Sequence, residues 1–261
     1  MTKIIGVVSG KGGVGKTTTA INLGTAFSAF GKDVIVMDAN LTTPNISVHL
    51  GAPLVPVTLN DVLRGVKPIH EAIYQHPSGI KVIPSSISIE ELKYLNADKL
   101  AAVLVDLIGK TEYVIMDASA GLSEDTLAVI KAADEVIVVT NPELPAVTDA
   151  LKTIKIAERM GTKILGVVIN KARHDEFDLD VKTIQTILEY PVLGVIPDDR
   201  AARAALSAKQ PMVHSHADAP ASKEFKRVAA KLLGEHFEEK LEKDEKKGLF
   251  DYLLKVLGLR K

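Results

Sequence analysis

Short runs of apolar, largely β-branched residues alternate along this chain with stretches of helical periodicity, and this alternation leaves few possible architectures. The seven runs are residues 4–9, 33–38, 80–85, 113–118, 135–141, 163–170 and 192–197. Each is apolar almost throughout, as expected of strands covered by helices on both faces. Helical patterns lie between them at 17–31, 89–109 and 145–161. We therefore predict an α/β fold with a doubly wound, mainly parallel sheet covered by helices on both faces.

Length and composition agree with such a fold and exclude several classes of function. At 261 residues and 46% apolar content, the chain can bury a large core, and its net charge of −1 gives no general attraction to nucleic acid or membranes. It has no cysteine, which excludes disulfides, thiolate metal sites and iron–sulfur clusters. No apolar run approaches the ~18 residues of a spanning helix, and the N-terminal run is too short for a signal peptide. We expect a cytoplasmic protein.

One strand end carries a strong motif for phosphate binding. Residues 10–17, GKGGVGKT, match G-x-x-x-x-G-K-[ST] between a predicted strand and a predicted helix. In such a loop the backbone N–H groups surround the phosphates, Lys16 neutralises the β/γ oxygens and Thr17 ligates Mg²⁺. A glycine-rich turn without a ligand is the alternative. We predict a site for ATP or ADP with Mg²⁺, formed by Gly10, Lys11, Gly12, Gly13, Val14, Gly15, Lys16, Thr17 and Thr18.

An ordinary phosphate loop does not need the earlier lysine, Lys11. The stretch KGGVGKTT resembles the deviant Walker A motif of the MinD/ParA group of ATPases, and the resemblance covers nearly the whole chain and narrows to the archaeal branch of MinD. In that group the early lysine reaches the nucleotide of a partner subunit. The resemblance therefore implies a homodimer in the ATP-bound form, in which Lys11 neutralises charge on the transferring phosphoryl group, as an arginine finger does. A solvated lysine at the loop entrance is the alternative.

The resemblance also implies residues around the metal. The stretch MDANLTTPNISVHLG is similar to switch I of the family, and MDASAG is similar to switch II. Together they imply that Asp38 and Asp117 hold the water shell of Mg²⁺ and the attacking water, with Thr17, Asp38 and Asp117 as the metal-binding set. Carboxylates at the ends of buried strands also need a nearby cation on physical grounds. Either aspartate could instead cap the helix that follows it.

Later segments resemble the base-binding part of the family's site. INKA and VLGVIPDD imply that Asn170 bonds the adenine edge, and that Pro197 and Asp198 line the base pocket. In the stretch TNPELPAVTDALK, Glu143 and Asp149 are implied contacts of Lys11.

Two positions depart from the family pattern. Asn40 replaces the second aspartate of D-x-D in switch I, and Ser119 replaces the proline of D-x-P-A-G in switch II. An amide cannot accept a proton, so Asn40 can only orient water, and we expect slow hydrolysis. The implied catalytic residues are Lys11, Lys16, Asp38, Asn40 and Asp117.

The C-terminal part of the sequence has a different character. We predict one charged helix after Pro220, with a domain boundary at 237, a helical tether at 238–247 and an amphipathic helix at 248–261. Residues 246–261 contain five basic residues and one acid, a local charge of +4. This pattern is typical of an interfacial membrane helix and resembles the membrane-targeting sequence of MinD. Packing of the helix on the domain is the alternative. The predicted membrane-contacting residues are Leu249, Phe250, Leu253, Leu254 and Leu257.

These features favour an ATPase switch that dimerises with ATP, attaches reversibly to an anionic membrane surface at the cytoplasmic face, and positions an unidentified protein partner, for example at the division site or a cell pole. A ParA-type partition ATPase would instead need a basic DNA-binding surface; we expect no sequence-specific binding of nucleic acid. An iron–sulfur carrier would need cysteine ligands. A nucleotide-gated scaffold that does not hydrolyse ATP stays open because of Asn40.

Overall fold

Eight strands form the centre of the protein in the computed structural model, which describes residues 1–52, 54–88, 99–173 and 175–237. The strands are β1 (Lys3–Ser9), β2 (Val34–Asp38), β3 (Tyr74–Gln75), β4 (Lys81–Ile83), β5 (Tyr113–Ala120), β6 (Glu135–Thr140), β7 (Lys163–Ala172) and β8 (Val192–Pro197). Their order in the sheet is β3-β4-β2-β5-β1-β6-β7-β8, and all neighbours are parallel except β3 and β4. The predicted doubly wound, mainly parallel sheet is confirmed.

Helices cover both faces of this sheet. They are α1 (Lys16–Ala29), α2 (Ile46–His49), α3 (Leu59–Leu63), α4 (Leu100–Val105), α5 (Glu124–Ala132), α6 (Leu144–Arg159), α7 (Val181–Leu188), α8 (Arg200–Ser207), α9 (Met212–Ser215) and α10 (Pro220–Leu233), with a 3-10 helix at Ile69–Ala72. One buried cluster packs α5, α6 and α7 on one face, and a second packs α1, α9 and α10 on the other. Successive residues of β1 alternate between the clusters, because strand side chains point to opposite faces.

The differences from the sequence-based assignment lie at short or interrupted elements. All seven predicted strands are present, but β3 was not predicted, since two residues are too few to show a pattern. Residues 89–98 of the predicted helix 89–109 lie outside the described residues, and α4 occupies Leu100–Val105. The prediction of one long helix after Pro220 is wrong. The helix ends at Leu233 because Gly234 adopts a left-handed conformation with φ 68°.

The last described residues contact the C-terminal end of α1. Glu235 accepts a hydrogen bond from Lys32 at 2.9 Å, and the ring of Phe237 lies edge-on to that of Phe30, with centroids 6.4 Å apart. Because α1 starts at the phosphate loop and rises about 1.5 Å per residue, this contact lies about 20 Å from that loop. None of the helices in the described part of the chain combines the length and apolarity needed to span a bilayer. Residues 238–261, with the predicted tether and amphipathic helix, lie outside that part.

The central position of β1 explains why the site forms at its end. β1 pairs with β5 on one side and β6 on the other. Chain crossovers lead from this region to β2 and β4 on one side and to β7 and β8 on the other. The carboxyl end of β1 therefore faces a crevice of the kind in which α/β proteins bind ligands.

Close packing of α1 on β2 depends on Gly24. A Cβ atom placed on Gly24 would lie 2.4 Å from Cγ2 of Val36. We expect Gly24→Ala to lower the free energy of unfolding by about 1–3 kcal/mol, although alanine has the higher helix propensity. Urea denaturation measures this change, and an alanine variant more stable than the parent chain would contradict it.

Candidate nucleotide-binding site

Glycines make room for the phosphate loop between β1 and α1. A Cβ atom on Gly10 would lie 2.1 Å from the carbonyl oxygen of Asp149, and one on Gly15 would lie 2.0 Å from Nδ2 of Asn170. Gly15 also has φ 92°, a conformation that residues with side chains rarely adopt. The loop is thus wedged between α6 and the end of β7, and the motif's glycines are required by contact as well as by backbone conformation.

Lys16 and Thr17, at the start of α1, both contact Asp117. The Lys16 side chain is only 8% exposed, and its Nζ lies 3.6 Å from Oδ1 of Asp117. The Thr17 hydroxyl donates to Oδ2 of Asp117 at 2.5 Å. Among the described residues, the buried Oδ1 of Asp117 has no hydrogen-bond partner. The structure therefore brings a hydroxyl, a carboxylate and an ammonium group together where the sequence places the phosphates and the metal.

This donor set fits Mg²⁺. A threonine hydroxyl and a carboxylate are oxygen ligands, and Mg²⁺ is usually held by one or two carboxylates with the rest of its shell from water and phosphate. The described residues contain no group of three or more His, Cys, Asp or Glu that could hold a metal. Thr17 and Asp117 would supply the protein ligands.

Asp38 has a different set of partners. Its Oδ2 accepts hydrogen bonds from the backbone N–H groups of Asn45 and Ile46, both at 2.9 Å. These groups form the N-terminus of α2, so in this structure Asp38 caps that short helix, the alternative role considered from the sequence. Asp38 is also paired in register with Asp117 on the neighbouring strand. Asp38 and Asp117 therefore lie side by side at the ends of β2 and β5.

Burial raises the pKa of both aspartates. For Asp38, burial acts first and the Asp117 carboxylate second, and backbone N–H groups oppose them only in part. For Asp117, burial raises the pKa, while Lys16 and the Thr17 hydroxyl lower it less than burial raises it. Two carboxylates that are costly to ionise side by side form a site that a divalent cation stabilises.

Asn40 lies two residues after Asp38 in the chain and is 4% exposed. Its amide is hydrogen bonded to Thr43 and to the Ser119 hydroxyl of switch II. The two residues that depart from the family pattern are thus direct neighbours.

Lys11 differs from Lys16 in its exposure and its partners. It is exposed, and it has no charged partner among the residues that the structure describes. It borders a cavity of about 210 Å³ whose lining includes Glu143 and the basic residues Lys171 and Arg173. Of its two implied contacts, Glu143 shares this cavity, whereas Asp149 is paired with Lys152 at 3.0 Å.

A second cavity of about 430 Å³ lies where the sequence predicts the base pocket. Its lining includes Thr18, Asn170, Pro197 and Asp198. Asn170 is 5% exposed, and its Nδ2 donates to the carbonyl of Val14 at 2.7 Å. Asn170 therefore supports the phosphate loop in this structure, a contact that its implied role at the adenine edge did not include.

Sequence analysis missed two basic residues beside the loop. Lys171 donates to the carbonyl of Gly13 at 2.7 Å and has φ 58°. Arg173 donates from Nε to Asp198 at 3.1 Å. Both border the two cavities. Lys171 lies within INKA and Arg173 directly follows it, at the end of a strand that lies beside the phosphate loop, and this position is the signal that could have identified them.

Comparisons with known proteins agree with the fold. Residues 1–233 match the ParA family model, described as NUBPL iron-transfer P-loop NTPase. An uncharacterized ATP-binding protein of Methanocaldococcus jannaschii is 41% identical over 98% of this chain and 97% of its own length. The cell division ATPase MinD of Pyrococcus furiosus is 33% identical with a TM-score of 0.86, over 90% of this chain and 99% of that one. The septum site-determining protein MinD of Pyrococcus horikoshii, solved with Mg-ADP, is 33% identical with a TM-score of 0.85, over 89% and 96%.

The raised pKa of Asp38 predicts a dependence of stability on pH. Between the ordinary value of 3.8 and about 8, the folded protein holds a proton that the unfolded chain releases, so this contribution to stability is complete at low pH and is lost as the pH rises to 8. We expect Asp38→Asn to gain stability relative to the parent chain between pH 5 and pH 8, by about 1 kcal/mol or more.

Urea denaturation at both pH values measures the difference. Asp180→Asn is the matched control, because hydrogen bonds from Thr183 lower the pKa of Asp180. Between pH 5 and pH 8 the stability difference of that control should not change, because Asp180 is ionised in both the folded and the unfolded chain there. An Asp38→Asn difference that does not change with pH would contradict the role assigned to burial.

Proposed function

The chain belongs to the ParA/MinD family of P-loop NTPases, and on this basis we propose that it is a slow ATPase that dimerises with ATP and attaches reversibly to the cytoplasmic face of the membrane. In this role it positions other proteins. The observation that carries the proposal is the contrast between two lysines of one loop. Lys16 is buried against Asp117, whereas Lys11 is exposed at the mouth of a cavity.

Nucleotide binding follows from the groups at the start of α1. The loop N–H groups and the positive end of the α1 dipole bind the phosphates, with the Lys16 ammonium as the buried counter-charge. Thr17 and Asp117 hold Mg²⁺, which supplies positive charge at the β/γ phosphates. The cavity lined by Asn170 and Pro197 receives the base.

Hydrolysis is slow in this proposal because of Asn40, two residues after Asp38. An attacking water needs an acceptor for its hydrogen, and Asn40 offers an amide where a carboxylate would be the stronger acceptor. The same observation favours a second candidate, a scaffold that binds ATP without hydrolysing it. Phosphate release in a single turnover distinguishes the two.

The surroundings of Lys11 support a second copy of this chain as its partner. Leu144, at the start of α6, is 58% exposed, and Phe177, before α7, is 81% exposed. Exposed apolar side chains around an exposed cation are typical of a surface that is covered in an assembly. Across such an interface Lys11 would meet the phosphates bound by the other copy.

Membrane attachment is supported by the sequence pattern of residues 248–261. In this proposal ATP acts on the C-terminal segment through dimerisation. Each basic residue at an anionic surface contributes about 1 kcal/mol, and half-buried apolar residues add a similar amount, so one copy binds weakly. Two linked copies bind by effective concentration.

The two lysines give a matched pair of variants. We expect Lys16→Ala to lose ATP binding, since it removes the buried counter-charge of the phosphates. Lys11→Ala is expected to bind ATP with nearly unchanged affinity but to stay monomeric. Calorimetry measures the affinity and light scattering the mass. Unchanged ATP affinity in Lys16→Ala would refute the phosphate site. ATP-dependent dimers of Lys11→Ala would refute the contact of Lys11 with the nucleotide of the other copy.

For the C-terminal segment we expect the full chain to sediment with anionic vesicles in ATP but not in ADP, and less so at high salt because screening weakens the attraction. Truncation after Lys247 and Leu254→Glu should both abolish sedimentation. The truncated protein should still bind ATP, because it keeps every predicted nucleotide-binding residue.

Two controls separate the causes. Zwitterionic vesicles remove the electrostatic contribution, and full-length Lys11→Ala keeps the segment while losing the dimer. If the segment instead packs on the domain, truncation should lower the melting temperature and no vesicle binding should occur. Binding that is equal in ATP and ADP would disprove the coupling.

A further inference from the structure

Ser119 contacts two acceptors that belong to different elements. Its Oγ lies 2.7 Å from Oδ1 of Asn40, in the segment after β2, and 2.9 Å from Oδ2 of Asp125, in the first turn of α5. Ser119 and Asn40 are 5% and 4% exposed, so water does not readily replace either bond. The residue that replaces the family's proline therefore connects switch I to α5.

A serine hydroxyl has one hydrogen, so it cannot donate fully to both acceptors. Both distances are suitable for a hydrogen bond. The carboxylate of Asp125 is the stronger acceptor because it is charged, whereas the amide oxygen of Asn40 is closer and more deeply buried. The Thr42 hydroxyl donates to the same Oδ2 of Asp125 at 2.9 Å and holds that oxygen beside Ser119. Ser119 can therefore donate its hydrogen to either Asn40 or Asp125.

The choice between them decides what Asn40 can do. Besides Ser119, its Oδ1 is approached by the N–H and the hydroxyl of Thr43 at 3.1 and 3.2 Å, and its Nδ2 donates to the Thr43 carbonyl. An oxygen with three donors has no capacity to accept a hydrogen from water. When Ser119 donates to Asp125 instead, the only donors left to this oxygen among the described residues are the Thr43 N–H and the longer, rotatable Thr43 hydroxyl, and water can take the place of that hydroxyl.

We propose that Ser119 and Asp125 are positioning residues for ATP hydrolysis: Asp125 draws the Ser119 hydrogen away from Asn40 and thereby allows Asn40 to orient the attacking water. This inference rests on the proposed ATPase function. It assigns a role to Asp125, and it gives the two departures from the family pattern a common purpose. Ser119 restrains Asn40, and Asp125 relieves the restraint.

The proposal predicts opposite effects for the two partners. Ser119→Ala removes the restraint and should raise the single-turnover rate of phosphate release, whereas Asp125→Ala leaves Ser119 bonded to Asn40 and should lower it. Each change should be roughly fivefold, the effect of about one hydrogen bond. Apart from the loss of the Thr42 bond to Asp125, the double variant should match Ser119→Ala, because no serine hydrogen is left for Asp125 to draw away from Asn40. ATP affinity should stay the same in all three.

Two further variants separate positioning from a general structural effect. Asp125→Asn keeps an oxygen that can accept from Ser119 and should restore most of the rate lost in Asp125→Ala. Glu124→Ala removes the neighbouring acid of the same helical turn, which contributes equally to the α5 dipole, and should leave the rate unchanged. Equal effects of Glu124→Ala and Asp125→Ala, or additive effects in the double variant, would overturn the proposal.

Hydrogen exchange tests the same choice without hydrolysis. The Thr43 amide donates to Asn40, so its exchange should be faster in Ser119→Ala and slower in Asp125→Ala than in the parent chain. The readout is this single amide, because Asp125→Ala also removes the acceptor of the Thr42 hydroxyl. If no variant hydrolyses ATP but exchange shifts in these opposite directions, the ATPase proposal fails, whereas the competition of Asn40 and Asp125 for the Ser119 hydrogen is supported. Exchange that is unchanged, or that shifts in the same direction in both variants, would refute the choice itself.

Discussion

Asp38 and Asp117 lie next to each other at the ends of two paired strands, buried and with raised pKa values, and the site is arranged around them. Asp117 is compensated by Lys16 and Thr17 from α1, and Asp38 by the backbone N–H groups that begin α2. These contacts fix the loops after β1 and β2 relative to each other. A cation at this point would change the balance of these bonds, and in the proposed function this would couple phosphate binding to the conformation of the loop after β2.

The sequence predicted the fold well because the fold depends on local signals. Continuous apolar runs indicated buried parallel strands, and the glycine spacing indicated a loop whose close contacts with Asp149 and Asn170 the structure then showed. The short strand β3 and the end of α10 at Gly234 could not be placed so well. Two residues form no pattern, and the charged stretch after Leu233 was interpreted as the continuation of a helix that a single glycine ends.

Side-chain partners were harder to predict, since they depend on contacts between distant segments. Asn170 and Val14 are separated by 156 positions, and no local pattern predicts that the amide supports the phosphate loop. The sequence analysis assigned no role to Asp125, an acid in the first turn of α5. Only the meeting of β5 with the segment after β2 reveals that it competes for a hydrogen with Asn40.

The taper of the sheet at one end has a consequence for solubility. The edge strand β3 has two residues and runs antiparallel to its three-residue neighbour β4. At the opposite edge, the ammonium group of Lys231 donates to the carbonyl of Val192 at the start of β8. A large sheet that exposes long unpaired edges recruits strands from other molecules. Here one edge is too short, and the other is partly occupied by a charged side chain, so the protein can be concentrated at one place in a cell without its sheets joining into aggregates.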